Sequence, residues 1–258
     1  MNHNILNNQL SISNNIKPLI ISPPFGNYLH YKHTSNVYGS YTLYERKGKL
    51  QQLIKTLRYS KKHKAWFNQI GLRNSGIQKA KNPHVGNIIS ICALNASDWF
   101  FLTKELLNLK AKGFTWSAVE INLSCPNEQI ASISSDDLQE LLKHFPLIAK
   151  LAPTKPARKQ AVFLYENGIR CFHLCNTLKT NKGGVSGTLL KKYSLQQIKW
   201  FKNIIKDKEV IIIGGGGISS IDDAKEYLDS GANKLSLGVC NFNPIKSYNL
   251  IKNIYTLI

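Results

Sequence analysis

The stretch Ile211-Ile-Ile-Gly-Gly-Gly-Gly-Ile218 is an apolar run that opens into four glycines and then into a serine-led helical pattern. A second run that ends in glycine, Leu235-Ser-Leu-Gly-Val239, follows it. Glycines after a buried strand leave backbone N–H groups exposed, which suits a phosphate beside a helix N-terminus. In (β/α)8 barrels that site typically follows the seventh and eighth strands, and tight turns without a ligand are the alternative. A dinucleotide fingerprint belongs at the first strand of a domain, so this late position argues against it.

Short runs rich in Ile, Val and Leu alternate with longer amphipathic stretches along the rest of the chain. The runs are continuously apolar, as in parallel strands that are covered on both faces. The predicted strands are Lys17–Ser22, Asn36–Thr42, Asn87–Leu94, Ser117–Leu123, Leu147–Leu151, Ile169–Cys175, Glu209–Ile213 and Lys234–Gly238. The predicted helices are Trp99–Lys112, Asp136–Phe145, Lys155–Asn167, Ser194–Lys206, Asp222–Ser230 and Pro244–Leu257. Eight strands with intervening helices predict an α/β fold of the (β/α)8, or TIM barrel, type, with a doubly wound sheet as the alternative.

The 258 residues are expected to form one domain, because no linker, repeat or low-complexity block divides them. The predicted organisation is an Asn-rich N-terminal segment at residues 1–15 and a barrel at residues 16–258. No apolar run is long enough to cross a membrane, and the first residues lack the pattern of a secretory signal. Five cysteines without disulfide-framework spacing indicate a reducing compartment, so a cytoplasmic location is expected.

Lysine and arginine outnumber aspartate and glutamate by 34 to 15, which gives a formal net charge of +19. Such a charge attracts nucleic acid, anionic lipid or acidic metabolites without selecting among them. The joint excess of Lys, Asn and Ile also fits an AT-rich genome, so mutational bias is an alternative source of the charge. The segment Glu45–Lys64 is predicted as a basic amphipathic helix inserted after the second strand. It is either an ordinary solvated face or a surface for an anionic partner.

The predicted strand Ser117–Leu123 breaks into the polar turn Asn122-Leu-Ser-Cys-Pro-Asn127. The two asparagines offer hydrogen-bond donors and acceptors, and Pro126 restricts the turn. Cys125 is a candidate general base if its surroundings favour the thiolate. A small, half-buried structural cysteine is the alternative.

Three other features bear on a ligand site. Gly183-Gly-Val-Ser-Gly187 follows Asn176-Thr177 and places a glycine-rich backbone at another strand end, which suits a flat polar ligand. Lys150 lies in an apolar strand and points either outward or inward toward an anion. Cys171 and Cys175 are assigned to one side of their strand and His173 to the other, and no metal site is predicted.

Together these motifs resemble the dihydroorotate dehydrogenase family. The matches occur in family order along most of the chain: Asn68-Gln-Ile-Gly-Leu-Arg-Asn74, Asn122-Leu-Ser-Cys-Pro-Asn127, Lys150-Leu-Ala-Pro153, Asn176-Thr177, Gly183–Gly187, Gly214–Ile218 and Gly238-Val239. Cysteine in the Ser-Cys-Pro-Asn turn is similar to the soluble class 1 enzymes, since the membrane-associated class has serine there. The resemblance implies FMN-dependent oxidation of dihydroorotate to orotate in pyrimidine (UMP) biosynthesis.

The resemblance also implies a role for each matching residue. Cys125 would remove the C5 proton of dihydroorotate while the C6 hydride passes to flavin N5, and Lys150 would stabilise negative charge on the reduced flavin. The implied substrate-binding residues are Asn68, Ile70, Gly71, Leu72, Asn122, Asn127, Asn176 and Thr177. The implied cofactor-binding residues are Phe25, Gly26, Ser40, Asn122, Lys150, Cys175, Gly187, Gly216, Gly217, Gly238 and Val239.

The chain departs from the family pattern at several of these positions. Tyr38-Gly39-Ser40 stands where the family has Thr-Lys-Ser, so a lysine that contacts flavin and substrate is absent. Glu128–Ser135 is shorter than the family's lid loop and lacks its glycine. Val239 replaces a phosphate-binding threonine, and Pro24-Phe-Gly26 replaces the usual Ala-Ser-Gly. FMN binding is therefore a safer expectation than dihydroorotate turnover.

Two other functions stay open at the level of sequence. A tRNA dihydrouridine synthase is a similar FMN barrel that would suit the positive charge, but its turn reads Gly-Cys-Pro and it carries an additional helical RNA-binding domain. A non-catalytic flavin-binding or basic interaction protein would suit the absent lysine and the short loop. The expected partners are dihydroorotate and orotate, fumarate as the simplest electron acceptor, and a second copy in a homodimer. A membrane is not expected, and nucleic acid is a less favoured partner.

Overall fold

The computed structural model describes residues 3–258. The strands are β1 (Leu19–Ile21), β2 (Thr34–Tyr41), β3 (Arg58–Ser60), β4 (Ala65–Asn68), β5 (Ile88–Ile91), β6 (Ala118–Asn122), β7 (Leu147–Lys150), β8 (Cys171–His173), β9 (Leu178–Thr180), β10 (Gly183–Gly187), β11 (Ile211–Gly215) and β12 (Lys234–Leu237). The helices are α1 (His3–Leu10), α2 (Ile12–Asn15), α3 (Lys49–Thr56), α4 (Asp98–Ala111), α5 (Ser135–His144), α6 (Lys155–Glu166), α7 (Thr188–Ile204), α8 (Ile221–Asp229) and α9 (Pro244–Tyr255).

Eight parallel strands close into a barrel in the order β1-β2-β5-β6-β7-β8-β11-β12, and β12 pairs with β1. The predicted barrel is confirmed, and a doubly wound sheet is excluded because the sheet has no open edge. All eight predicted strands contain the observed ones or overlap them closely. The six predicted helices are also present, although α7 begins at Thr188 rather than at Ser194.

Residues two apart on a strand share a face, so the inward side chains form layers across the barrel. One layer is apolar: Ile20, Val37, Ile88, Ala118, Ile148, Cys171 and Ile211 belong to one buried cluster. The next layer toward the carboxyl ends is polar and includes Ser90, Glu120, Lys150 and His173, which are all buried. His173 therefore faces the barrel interior with Cys171, and its assignment to the opposite side was wrong because residues 171, 173 and 175 have the same parity.

The Asn-rich N-terminal segment forms helices α1 and α2 and closes the amino end of the barrel. Ile12 and Ile16 are buried in the apolar layer. Lys234 Nζ donates to the carbonyl oxygens of Ser13 and Ile16, both at 2.9 Å. Residues 1–2 of the predicted segment lie outside the described residues, and the division of the chain after residue 15 stays a prediction.

A second, antiparallel sheet in the order β3-β4-β10-β9 lies beside the carboxyl end of the barrel. The prediction of one helix over Glu45–Lys64 was wrong for its second half. Helix α3 ends at Thr56, Leu57 is extended, and residues 58–68 form the β3–β4 hairpin. The hairpin is stabilised by pairing between β4 and the distant β10, a contact that a local pattern does not contain. Within residues 3–258, no helix is long and apolar enough to cross a membrane.

Candidate active site

A cavity of about 1020 Å³ opens at the carboxyl ends of the barrel strands, where the second sheet covers part of it. The predicted residues that line it are Phe25, Ser40, Asn68, Ile70, Gly71, Leu72, Asn122, Cys125, Asn127, Lys150, Cys175, Asn176, Thr177, Gly187, Gly216, Gly217, Gly238 and Val239. Gly26 lies behind the cavity wall, where a Cβ atom would come within 2.4 Å of the Val37 carbonyl oxygen. The fold thus brings together all the predicted site residues except Gly26.

Four asparagines and Ser40 form an amide cluster in this cavity, which is held by two separate sets of hydrogen bonds. Asn122 Nδ2 donates to Ser40 Oγ at 3.0 Å, and Asn176 Nδ2 donates to Asn122 Oδ1 at 3.0 Å. Asn127 Nδ2 donates to the carbonyl oxygen of Asn68 at 3.1 Å. These contacts fix the orientation of the amides and join the barrel strand ends to β4 of the second sheet.

Cys125 is half-buried in the turn that follows β6. Burial raises the pKa of its thiol, and the carboxylate of Glu128 raises it further, while a hydrogen bond from the backbone N–H of Asn127 opposes them. Glu128 is itself held by Arg46, whose Nη2 lies 2.5 Å from Glu128 Oε1. The thiol can act as a base here, but its resting form is protonated.

A buried ionic cluster lies on the cavity floor, below the amides. Glu120 Oε1 lies 3.3 Å from Lys150 Nζ, and Glu120 Oε2 lies 2.8 Å from His173 Nδ1. Although burial alone would raise the pKa of Glu120, Lys150 and the hydrogen bond to His173 keep it below its usual range. Lys150 thus points inward, and its side chain is charge-paired and only 8% exposed.

The glycines after β11 and β12 form one edge of the cavity. A Cβ atom at Gly217 would come within 2.7 Å of the Gly187 carbonyl oxygen, so Gly217 packs directly on Gly187. Gly216 and Gly217 have φ angles of 102° and 77°, which glycine adopts readily. The backbone N–H groups of Gly216, Gly217 and Gly238 donate to no acceptor within residues 3–258. Free backbone N–H groups gathered at one edge of the cavity form a cradle that fits the phosphate of a flavin mononucleotide.

Gly183 and Gly184 of β10 serve the packing of the protein itself rather than a ligand. A Cβ atom at Gly183 would come within 2.4 Å of the Asn68 carbonyl oxygen, and one at Gly184 within 2.7 Å of Pro126 Cγ. The Gly184 N–H donates to Asn127 Oδ1 at 3.0 Å. Gly183 and Gly184 therefore let the second sheet approach the cysteine turn closely, and within the stretch Gly183–Gly187 only Ser186 and Gly187 line the cavity.

Gly39 occupies the position of the absent lysine, and the backbone there excludes a larger residue. Its φ is 113°, and a Cβ atom would come within 2.4 Å of the Ser90 carbonyl oxygen. The side chain of Asn27 holds the peptide from both sides, donating to the Gly39 carbonyl oxygen and accepting from its N–H, each at 3.1 Å. The neighbouring Ser40 stays in contact with Asn122.

The residues that sequence reasoning missed are Asn27, Arg46, Glu120, Glu128 and His173. The sequence did contain a signal for Glu120 and His173. Each is a polar residue in an apolar strand, two positions before a predicted site residue (Asn122 and Cys175), and so lies on the same face of its strand. Arg46 and Glu128 are far apart in the sequence, and only the fold brings them together. Within residues 3–258, no group of three or more His, Cys, Asp or Glu side chains is placed to hold a metal ion.

Comparison with known proteins gives the same assignment as the motifs. Residues 27–256 match the family model described as dihydroorotate dehydrogenase. The chain belongs to the dihydroorotate dehydrogenase family. Members of this family are oxidoreductases that act on CH–CH donors, and the family is generally flavin-dependent. The sequence resemblance is confirmed, and dihydroorotate oxidation in pyrimidine biosynthesis is the reaction of the family to which the chain belongs.

Two relatives and one solved structure show how distant the match is. The chain is 29% identical over 222 residues to the dihydroorotate dehydrogenase B (NAD(+)) catalytic subunit of Thermodesulfovibrio yellowstonii, covering 73% of this chain and 71% of that one. It is 27% identical over 245 residues to dihydroorotate dehydrogenase A (fumarate) of Limosilactobacillus reuteri, covering 81% and 76%. The structure of DHODH from Eimeria tenella in complex with ferulenol matches with a TM-score of 0.65 and 16% identity, covering 93% and 81%, and supports the barrel fold.

Proposed function

We propose that this chain oxidises dihydroorotate to orotate with FMN as its cofactor and Cys125 as the general base. The proposal rests on one observation: three kinds of functional group line the same cavity. The thiol of Cys125, the buried ammonium of Lys150 and the amide cluster all line it. Dihydroorotate is a cyclic amide that carries a carboxylate. A base can remove its proton, a positive charge can stabilise the negative charge that develops, and the amides can hold the ring in place.

FMN fits the cradle and floor described above. Gly216, Gly217 and Gly238 would hold its phosphate through backbone N–H groups, and Lys150 would lie against its ring. When bound, FMN supplies the acceptor for the hydride that leaves C6 of dihydroorotate. Lys150 favours a ring that carries negative charge, and Glu120 keeps the ammonium in place.

Cys125 takes the proton from C5 of the substrate. Because burial and Glu128 raise the pKa of its thiol, the thiolate is a minor species at neutral pH. The hydrogen bond from the Asn127 N–H stabilises the thiolate within the turn. The base is thus held in place by the turn and becomes more active as pH rises.

The amide cluster orients the substrate ring. Asn68, Asn122, Asn127 and Asn176 together present donors and acceptors at the cavity wall. The loop at residues 70–72 would offer backbone N–H groups to the substrate carboxylate, and Arg46 Nη2 lies 3.4 Å from the Gly71 carbonyl oxygen of that loop. Because Gly39 replaces the family's lysine, the substrate is held mainly by neutral groups, and a weaker affinity for dihydroorotate follows.

We propose fumarate as the electron acceptor, since the Limosilactobacillus reuteri relative is named a fumarate enzyme and is matched over 76% of its length. The catalytic subunit from Thermodesulfovibrio yellowstonii, named for NAD(+), supports a second possible route through another subunit. A cytoplasmic location and a homodimer remain part of the proposal and are tested by fractionation and by the mass of the purified protein in solution.

The first test is an anaerobic half-reaction. The purified protein is expected to be yellow, and dihydroorotate should bleach its oxidised flavin absorbance. In Cys125→Ala the bleaching should slow by at least about 100-fold with the flavin retained, the usual range for losing a general base. Cys171→Ala is the matched control, because Cys171 is a buried cysteine of the apolar layer, outside the cavity lining. A yellow protein that dihydroorotate does not bleach would refute the proposed substrate.

A further inference from the structure

The buried cluster on the cavity floor contains a histidine that the proposed chemistry leaves without a role. Glu120, on β6, contacts partners on β5, β7 and β8 through its two carboxylate oxygens. Oε1 accepts from Lys150 Nζ at 3.3 Å and from Ser90 Oγ at 2.8 Å, and Oε2 lies 2.8 Å from His173 Nδ1. Glu120 and His173 are 1% and 2% exposed, so this arrangement is screened from solvent.

The protonation of His173 follows from its partner. An ionised carboxylate can only accept hydrogen bonds, so Nδ1 must carry the hydrogen. Burial lowers the pKa of His173 and the charge of Lys150 lowers it further, which keeps the imidazole neutral. A neutral imidazole has one N–H, and Nε2 is therefore a bare acceptor.

This acceptor is available to a ligand. His173 lines the cavity, and its Nε2 makes no hydrogen bond to any other described residue. Lys150 and His173 are register partners on β7 and β8, so their side chains stand next to each other. The floor thus presents a donor, the Lys150 ammonium, beside an acceptor, the His173 imidazole. A planar ring in which a carbonyl adjoins an N–H is the complement of this pair.

We propose that His173 Nε2 accepts a hydrogen bond from the ring N–H of the bound flavin, beside a hydrogen bond from Lys150 to the adjoining ring carbonyl. Glu120 is the positioning residue for both, because one carboxylate fixes the tautomer of His173 and the place of Lys150. The inference rests on the proposed function only for the identity of the cofactor. It makes the ring N–H, at position N3, a determinant of flavin recognition.

The test compares FMN with N3-methyl-FMN, which lacks this N–H, in protein stripped of flavin and titrated without substrate. Quenching of flavin fluorescence gives each Kd. The wild type is expected to favour FMN by about tenfold, because the methylated flavin leaves a buried acceptor unpaired. In His173→Leu the preference should fall close to unity. Cys171→Ala, on the same strand and outside the cavity lining, should keep the wild-type preference.

A second variant and a second measurement keep the test decisive. If His173→Leu does not fold, His173→Asn keeps an amide acceptor and should show an intermediate preference. The ¹⁵N spectrum of the imidazoles, with His173 assigned by its loss in that variant, should show an unprotonated Nε2. In Glu120→Gln the carboxylate no longer fixes the hydrogen of His173 on Nδ1, so the preference for FMN over N3-methyl-FMN should decrease.

The outcomes separate this inference from the proposed function. An equal preference for FMN in the wild type and in His173→Leu would show steric rejection of the methyl group and overturn the role of His173. An Nε2 that carries hydrogen would overturn it as well. The expected preference in a protein that dihydroorotate does not bleach would refute the proposed substrate and leave the inference intact. A protein that binds neither flavin would overturn both.

Discussion

At the scale of single residues, the environment of Cys125, the proposed general base, sets how readily its thiol ionises. The turn places the thiol beside a carboxylate that opposes its ionisation and beside backbone N–H groups that favour it. Arg46 binds Glu128 directly, so the charge next to the base is partly neutralised. With Cys125 in its proposed role as general base, this balance predicts a rate of flavin reduction that rises toward alkaline pH.

The pH dependence can be shifted by changing Glu128. In Glu128→Gln a negative charge near the thiolate is lost, so the pKa of Cys125 should fall. The alkaline rise in the rate of flavin reduction should then begin at a lower pH than in the wild type. Glu140→Gln, on the exposed face of α5, is the control. An unchanged or alkaline-shifted profile in Glu128→Gln would contradict this account of the base.

At Gly39, the backbone conformation explains why the lysine of the family is absent. Gly39→Ala should lower the free energy of unfolding by about 2 kcal/mol or more, because the φ angle is positive and the Cβ atom would overlap the Ser90 carbonyl oxygen. Gly113→Ala separates the two causes, since Gly113 also has a positive φ but has open space around its Cβ position. Thermal unfolding should show a clearly larger loss for Gly39→Ala; equal losses would remove the steric part of the argument.

At the scale of elements, the second sheet completes the substrate side of the cavity. It brings Asn68 from β4 to Asn127, and the glycines of β10 allow that approach. The barrel edge, in contrast, supplies the glycines that fit a phosphate. The substrate side of the cavity therefore depends on how closely the second sheet approaches the cysteine turn, whereas the phosphate edge is formed mainly by the glycines that follow β11 and β12.

Gly184→Ala should perturb the substrate side of the cavity and leave the phosphate edge unchanged. The added Cβ atom would press on Pro126 and on Asn127 Nδ2, so the cysteine turn must shift. We expect an apparent Kd for dihydroorotate at least about fivefold higher, consistent with the loss of a hydrogen bond, with little change in flavin content. Lys179→Ala, at the paired position on β9, is the control. A loss of flavin with unchanged substrate affinity would mean that the sheet serves the cofactor instead.

At the scale of the whole molecule, the net charge of +19 is concentrated in part around the cavity. The cations that line it, apart from Lys150, are Arg46, Lys47, Lys49, Arg73, Lys79 and Lys81. Glu45 is the acid among the lining residues and is paired with Lys79 at 2.8 Å. Such a rim attracts an anionic substrate and partly offsets the absence of the lysine at position 39.

The rate of substrate capture should therefore depend on salt. The second-order rate constant for flavin reduction by dihydroorotate should fall several-fold as ionic strength rises from about 0.02 M to about 0.5 M. The limiting rate at saturating substrate should change little, because Cys125 and Lys150 are shielded from bulk salt. Stopped-flow measurement of both constants distinguishes the two cases. A second-order constant that is insensitive to salt would show that the charge has no role in capture.

The sequence by itself determined the barrel strands, the cysteine turn and the glycine edge of the cavity. Continuous apolar runs and the turn chemistry of Gly, Pro and Asn are local signals, and they act within a few residues. It also determined the motif positions that the barrel gathers, because all the carboxyl ends of parallel strands meet at one face. The strand of Lys150 left the direction of its side chain open, and the family resemblance alone made it a predicted site residue.

Only the tertiary structure decided the N-terminal closure of the barrel, the β3–β4 hairpin and the contacts of His173. Ile12 is buried because it meets the inward layer of distant strands, and β4 forms because β10 pairs with it. The Asn-rich and Lys-rich compositions of these segments gave no sign of either contact. Glu120, Lys150 and His173 come from three neighbouring strands, and the pairing among them offsets the cost of burying charge away from water. Such contacts join residues far apart in the chain, so no local pattern contains them.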